Sequence, residues 1–449
     1  MTGVTLSRWT MSYFAAALVA LMAAEAMMAV GYGFPAAAIA APETLILVHV
    51  VAIGWLSLLM CGALLQFLPV LVAQPLYSNA LALPALVSLV VGLAALILAF
   101  LQLDGRIAPA VPFFAIAAAL LIAGFAFVLW NLARTMAAAP TMPLPARFVV
   151  VGLAGVTFTV VLGATFALVL GGTVDYGPLV ALTTAGLPIH VVAGLGGWLT
   201  FTAMGVSYRL LAMFMLAPEL EGATTKAALL LGAAALGMAI AGGILAVLLG
   251  GNPSLALLAA LAMGVLALAL YGADVLHLYR ARRRRNIELN SRMAAYALVS
   301  LAASVVLTLL LLAIRRLGDH AAAVVFLIAF GWLSGLGLAQ LYKIVAFLTW
   351  LECYGPVLGK GPTPRVQDLV VENRAGKWFL LYFIAVWAGA AALLAGLPLA
   401  FRFAAALLLV ATVGIVAQLV RTRRLADVKD AARLPQGARP PRLLLSCQP

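Results

Sequence analysis

The chain has 449 residues, of which 66% are hydrophobic and 9% charged, and it carries a formal net charge of +13. Its mean hydropathy is +1.16, which excludes an ordinary soluble domain. The positive charge sorts by position in a way that reads as membrane orientation and argues against nucleic-acid binding.

In a bilayer, backbone polar groups must be satisfied within the segment, so long apolar runs become helices. A crossing needs roughly 20 apolar residues. Twelve runs qualify: 11–33, 44–73, 79–102, 108–133, 148–171, 181–216, 226–250, 254–279, 293–314, 321–350, 377–396 and 403–420. The reading is an all-α integral membrane protein with one transmembrane domain, residues 1–424. A basic tail, 425–449, is expected to be cytoplasmic and disordered.

Span 1 follows Arg8 and precedes Ala38-Ile39-Ala40, a signal-peptide-like arrangement. Its apolar run is too long for a signal core, so an uncleaved first helix is expected. Glu25 lies in it among Met22, Met27 and Met28. It could be a proton- or ion-handling group or a paired structural carboxylate. Span 2 carries His49, then Gly54-Trp55-Leu56-Ser57, then Gln66. Span 6 carries His190, then Gly197-Trp198-Leu199-Thr200, then Tyr208 and Arg209. Span 10 carries Gly331-Trp332-Leu333-Ser334, then Tyr342 and Lys343. The motif thus recurs about every 140 residues, too long for a solenoid and suited to a four-helix membrane unit. Three pseudo-repeated four-helix units follow, about 1–142, 143–288 and 289–424.

With both termini cytoplasmic, only Arg106, Arg315, Arg316 and Arg402 of the 27 basic residues fall outside. That asymmetry supports the twelve-span count and a cytoplasmic membrane. The Arg280–Arg285 run beside span 8 also suits anionic lipid head groups. Of the three cysteines, Cys61 lies within span 2, and Cys353 and Cys447 fall on the cytoplasmic side, so no structural disulfide is expected.

An ionisable side chain at lipid depth marks a functional site by default. His49 and His190 stand in the outer parts of spans 2 and 6, and neutral imidazole is a frequent metal and haem-iron ligand. Each could instead donate to a carbonyl of a neighbouring helix. His277, beside Asp274, and His320, in an outer loop, read as interfacial. Gln66, Arg209 and Lys343 fall at matching positions and read as side chains snorkelling to the interface. Tyr208 and Tyr342 line a polar path or belong to an aromatic belt. Met204, Met213 and Met215 read as packing.

Twelve spans in three repeats, with His in the outer part of spans 2 and 6, resemble the haem–copper oxidase subunit I superfamily. That superfamily includes cytochrome c oxidase subunit I and the nitric oxide reductase large subunit. Gly54-Trp55…Gly62-Ala63-Leu64-Leu65-Gln66-Phe67-Leu68-Pro69 and Gly205-Val206-Ser207-Tyr208-Arg209-Leu210 carry the likeness. Catalytic members hold their haems and metal through one His on span 2, two on span 10 and three on spans 6 and 7. This chain has four His in all. His49 matches the span 2 haem ligand, and His190 is near the span 6 metal ligand. Span 7 has none, and span 10 has Phe326 and Val324 at the corresponding places. Gly194 stands where some oxidases carry a cross-linked Tyr. The resemblance therefore implies a non-oxidase relative, not an oxygen or nitric oxide reductase of the usual kind. It would bind one haem b, or less readily copper, through His49, with or without His190. Arg315, Arg316 and Arg402 would pair with haem propionates. Its role would be redox or accessory work in respiration, haem, copper or nitrogen-oxide metabolism, alongside membrane or periplasmic redox subunits. The alternatives are a channel or transporter for protons, metal ions or small solutes, with a path along Glu25, Gln66, Tyr208, Arg209, Tyr342 and Lys343, and a structural subunit of a larger complex.

Overall fold

The computed structural model describes residues 7–429, 433–435 and 437–446. Among these, twelve helices are long and apolar enough to cross a membrane, one for each expected run. They are α1 (Thr10–Val30), α2 (Pro42–Leu71), α3 (Ala82–Leu103), α4 (Phe113–Ala137), α5 (Leu144–Leu170) and α6 (Leu187–Met215). They continue with α7 (Ala223–Leu248), α8 (Ser254–Arg280), α9 (Leu289–Ala313), α10 (Leu317–Val357), α11 (Glu372–Leu394) and α12 (Pro398–Arg423). The described residues contain no strand. The chain is a multi-pass membrane protein.

Most helix ends lie within about five residues of the expected limits, and two runs differ in more than that. The sixth run is broken in two, a short helix Gly177–Ala185 and then α6. The cause is local: Pro188 has no N–H to donate to the turn before it, so the chain breaks at Gly186 and a new helix starts with Pro188 in its first turn. The tenth run is longer than expected and reaches Val357.

Each Gly-Trp motif lies in a π-helical stretch: Val50–Ser57 in α2, Val192–Phe201 in α6 and Leu327–Ser334 in α10. A π turn widens the helix by one residue and leaves carbonyls poorly aligned. The hydroxyl that ends the motif fills the gap in all three helices. Ser57 donates to Ala52 O (2.7 Å), Thr200 to Leu195 O (2.7 Å) and Ser334 to Ala329 O (2.6 Å). The fourth motif position therefore needs a hydroxyl, which Ser and Thr both supply.

The chain forms two compact units, one of Met1–Gln66 with Ile287–Pro449 and one of Phe67–Asn286. In the first, α1 packs on α12 and on the π stretch of α2, α9 packs on that of α10, and α11 packs on α12. Helices α2 and α10 also meet. A Cβ on Gly337 would stand 2.6 Å from a Leu59 methyl, and Trp55 Nε1 donates to Ser334 Oγ (2.7 Å). In the second unit α3 packs on α4, α5 on the π stretch of α6, and α7 on α8. Here the close approach is backbone to backbone: a Cβ on Gly155 would lie 2.6 Å from Trp198 N. Association through small residues is the usual solution where lipid is as apolar as the side chains.

The tail differs from its expected disorder wherever it is described. Leu425 and Val428 pack with Cys353, Tyr354, Val357 and Leu369. Tyr354 donates to Arg433 O (2.8 Å), Ser12 to Leu444 O (2.7 Å), and the Ser446 N–H to Arg8 O (3.0 Å). Arg423, 4% exposed, binds Glu352 Oε2 and Thr349 Oγ1 (2.9 Å each) and the Arg442 carbonyl. A buried guanidinium that needs partners holds the segment down, which polar composition alone does not reveal. Cys447 lies outside the described residues.

Candidate functional site

His49 ends the α-helical start of α2 and is half-buried. Its Nδ1 lies 2.7 Å from the Leu45 carbonyl, one turn earlier. A carbonyl only accepts, so Nδ1 carries the proton and Nε2 carries the lone pair of the neutral ring. His190, also half-buried, sits differently. Its ring lies against Phe166 (5.5 Å between centroids), and a Cβ on Gly163 would stand 3.0 Å from its Cε1. Helix α5 gives up a side chain at Gly163 to seat this imidazole, so His190 has a packing role. His49 belongs to the first unit and His190 to the second.

His277 is exposed, and His320 is half-buried at the start of α10. Arg316 pairs with Asp319 (3.1 Å). Arg402 donates to Ala29 O (3.2 Å) and lies over Gly31, whose φ is +81°. It caps the last turn of α1, where a cation suits the exposed carbonyls. Arg315 ends α9 with φ 57° and is exposed. Its side chain makes no ion pair among the described residues. Phe326, six residues before Trp332 as His49 is before Trp55, stacks on Phe330 (4.8 Å) and meets Phe401 edge-on (5.4 Å).

The three matching positions after the motif each tie down a different piece of chain. Gln66 Oε1 accepts the Ser7 N–H (3.0 Å), Arg209 pairs with Glu219, and Lys343 pairs with Glu288 (2.7 Å). The proposed path residues are also divided, with Glu25, Gln66, Tyr342 and Lys343 in one unit and Tyr208 and Arg209 in the other. Tyr208 donates to Asp274 Oδ2 (2.9 Å), which also receives Thr225 (2.8 Å).

Glu25 is fully buried. Its Oε1 accepts from Thr412 (2.8 Å), whereas Oε2 has no partner. The buried Tyr382 hydroxyl is close enough to interact electrostatically with this carboxyl, and it donates to Phe330 O (2.8 Å). Thr412, Tyr382 and the Asp274 hydroxyl clasp escaped the sequence reading. A carboxylate at lipid depth was the available signal for both sites, but its partners lie on distant segments.

Outside the spans, Asp427 receives Arg374 (2.5 Å) and Arg421 (2.6 Å). Burial pushes its carboxyl up, and the two arginines outweigh that and hold it below the usual value. The Arg365 backbone N–H holds Asp368 low as well. Among the described residues, no three His, Cys, Asp or Glu side chains are grouped to hold a metal ion. No family model and no curated protein matches this chain.

Proposed function

We propose that the chain is a non-oxidase relative of haem–copper oxidase subunit I in a bacterial inner membrane, with both termini cytoplasmic, and that His49 ligates one haem b. Three features support the scaffold. The Gly-Trp motif recurs with its π stretch and its hydroxyl. The first helix of each third packs on the π stretch of the second. The third and fourth helices of each third pack on each other.

The observation that carries the cofactor assignment is the His49–Leu45 hydrogen bond. Ligating imidazoles donate the other ring N–H to a carbonyl or carboxylate, which fixes the tautomer and orients the ring. His49 is held in that way. A haem bound there would supply one-electron chemistry. Phe326, at the matching place in α10, supplies no second imidazole, so His49 would be the sole His ligand from these two helices. Arg315, with no ion pair of its own among the described residues, suits a propionate better than Arg316 or Arg402, which are engaged. His190, seated against Phe166 and Gly163, is the weaker ligand, and copper is the less favoured metal. Electrons would pass to or from another membrane or periplasmic redox subunit.

The visible spectrum of full-length protein purified from haem-sufficient cells tests this. A Soret band is expected in the wild type and in His190→Ala, and its loss in His49→Ala. A featureless wild-type spectrum, or full absorbance in His49→Ala, overturns the assignment.

A further inference from the structure

Buried polar groups without partners collect in the first unit. Besides Glu25 Oε2, they include Trp332 Nε1, both amide atoms of Gln340 and the Tyr342 hydroxyl. These residues are 1%, 6% and 3% exposed. Within lipid, each unsatisfied group costs several kcal/mol, and natural proteins satisfy such groups with ordered water. Trp332, Gln340 and Tyr342 occupy one helix, α10, over roughly 15 Å of rise. Tyr342 stands at the tail end of that helix, where Glu372, Arg374 and Asp427 act on it electrostatically. Trp332 stands at the motif level, where the Tyr382 hydroxyl interacts electrostatically with the carboxyl of Glu25 and also reaches Ser334.

The charged and titratable groups of the helices around Glu25 make no ion pair with it among the described residues. Helix α1 itself carries no other charge. Helix α12 brings Arg402, Arg421 and Arg423, roughly 14–17 Å along the axis from Thr412, and Arg423 is paired with Glu352. Helix α2 brings Glu43 and His49, and α11 brings Glu372, Arg374 and Lys377 in its first turns. Arg402 is held at the end of α1, and Arg374 and Arg421 at Asp427. The neighbours of the Glu25 carboxyl are the neutral side chains of Thr412 and Tyr382. Among the described residues Glu25 makes no ion pair, and the one hydrogen bond its carboxyl receives is from a neutral hydroxyl.

From this geometry we infer that Glu25 is a proton-binding site inside the membrane. It is held as a neutral acid that exchanges its proton with water at the tail end of the first unit through a hydrated file past Gln340 and Tyr342. Oε1 accepts from Thr412, and the acid O–H on Oε2 donates to the first water of the file. The proton leaves by transfer to that water and returns from it, so no other reactant is needed. The inference rests on the membrane placement and is independent of haem at His49.

Infrared spectroscopy of the full chain in lipid nanodiscs tests it. A protonated-carboxyl carbonyl band is expected at pH 7, absent from Glu25→Gln and retained in Glu43→Gln. It should shift in D2O, and Gln340→Leu or Tyr342→Phe should slow that shift about tenfold through loss of one hydrogen-bonding station. Wild-type absorption only from ionised carboxylate, or a band that ignores Glu25→Gln, overturns the site. A band that never shifts in D2O, or one whose shift neither path variant slows, overturns the file. Thr412→Val guards against misfolding of the glutamine variant, since it should move the band and not remove it.

Discussion

Two buried carboxylates, Glu25 in one unit and Asp274 in the other, are treated oppositely. Asp274 receives two hydroxyls on one oxygen, from Tyr208 and Thr225, and Tyr208 in turn packs edge-on against Tyr271. Glu25 receives one hydroxyl on one oxygen and nothing on the other. A fully satisfied polar cluster rigidifies a fold, and a half-satisfied one costs stability unless something else binds there. Asp274 thus reads as a structural clasp joining α6, α7 and α8. Glu25 reads as a place kept open for an exchangeable partner.

The largest effect should come from the clasp. Asp274→Leu leaves two buried hydroxyls without an acceptor, and each orphaned group costs about 1–3 kcal/mol. We expect a loss of about 3 kcal/mol in detergent unfolding, with Asp274→Asn retaining roughly half of the clasp, because its one oxygen can accept both hydroxyls but without the charge that strengthens them. Glu25→Gln should change stability by less than about 1 kcal/mol, because only one hydrogen bond is altered. If the two amide variants lower the melting temperature equally, the distinction between clasp and open site fails.

The next contrast lies within the repeated motif. Ser334 closes the π turn of α10 and also accepts the Trp55 indole N–H, whereas Thr200 has only the turn-closing bond in evidence. Ser334→Ala orphans a fully buried indole and should cost about 2 kcal/mol, against about 0.5–1 kcal/mol for Thr200→Ala. Equal losses would mean that the Trp55 bond joins α2 to α10 without stabilising either.

Much of this was legible in the residues, for reasons that also explain what was not. Helix number follows from apolar run length alone, and the Gly-Trp-Leu-Ser/Thr recurrence marked the three related helices. Its π geometry was hidden, because the pattern names a hydroxyl but not the carbonyl it must reach. The break before α6 was written in Leu187-Pro188, yet the apolar run passed over it. Glu25 and His49 stood out as ionisable groups at depth. What separates Glu25 from Asp274 is how fully each carboxyl is hydrogen-bonded, and what separates His49 from His190 is a carbonyl bond against a packed ring; the partners Thr412, Thr225 and Gly163 lie many residues away. The tail misled because its composition is polar and basic, while Leu425, Val428 and a string of backbone carbonyls do the docking.

The smallest expected effect concerns a third carboxylate, outside the spans, which shows what full pairing does at the surface. Asp427 is gripped by Arg374 and Arg421, and Arg374 also holds Gln418 (2.6 Å). Its folded-state affinity for a proton is lowered against the cost of burial. A depressed carboxyl contributes stability above the ordinary aspartate range, and that contribution is lost as pH falls through the depressed value. The segment after α12 should therefore loosen on acidification below the usual carboxylate range and stay docked at neutral pH. Limited proteolysis of the tail across that range checks it. Asp427→Asn should be cleaved faster at neutral pH and show little further change in acid, because the group that titrates is gone. Cleavage of the wild type that rises towards alkaline pH would reverse the sign and remove Asp427 as the anchor, leaving the Arg423–Glu352 pair to hold the tail alone.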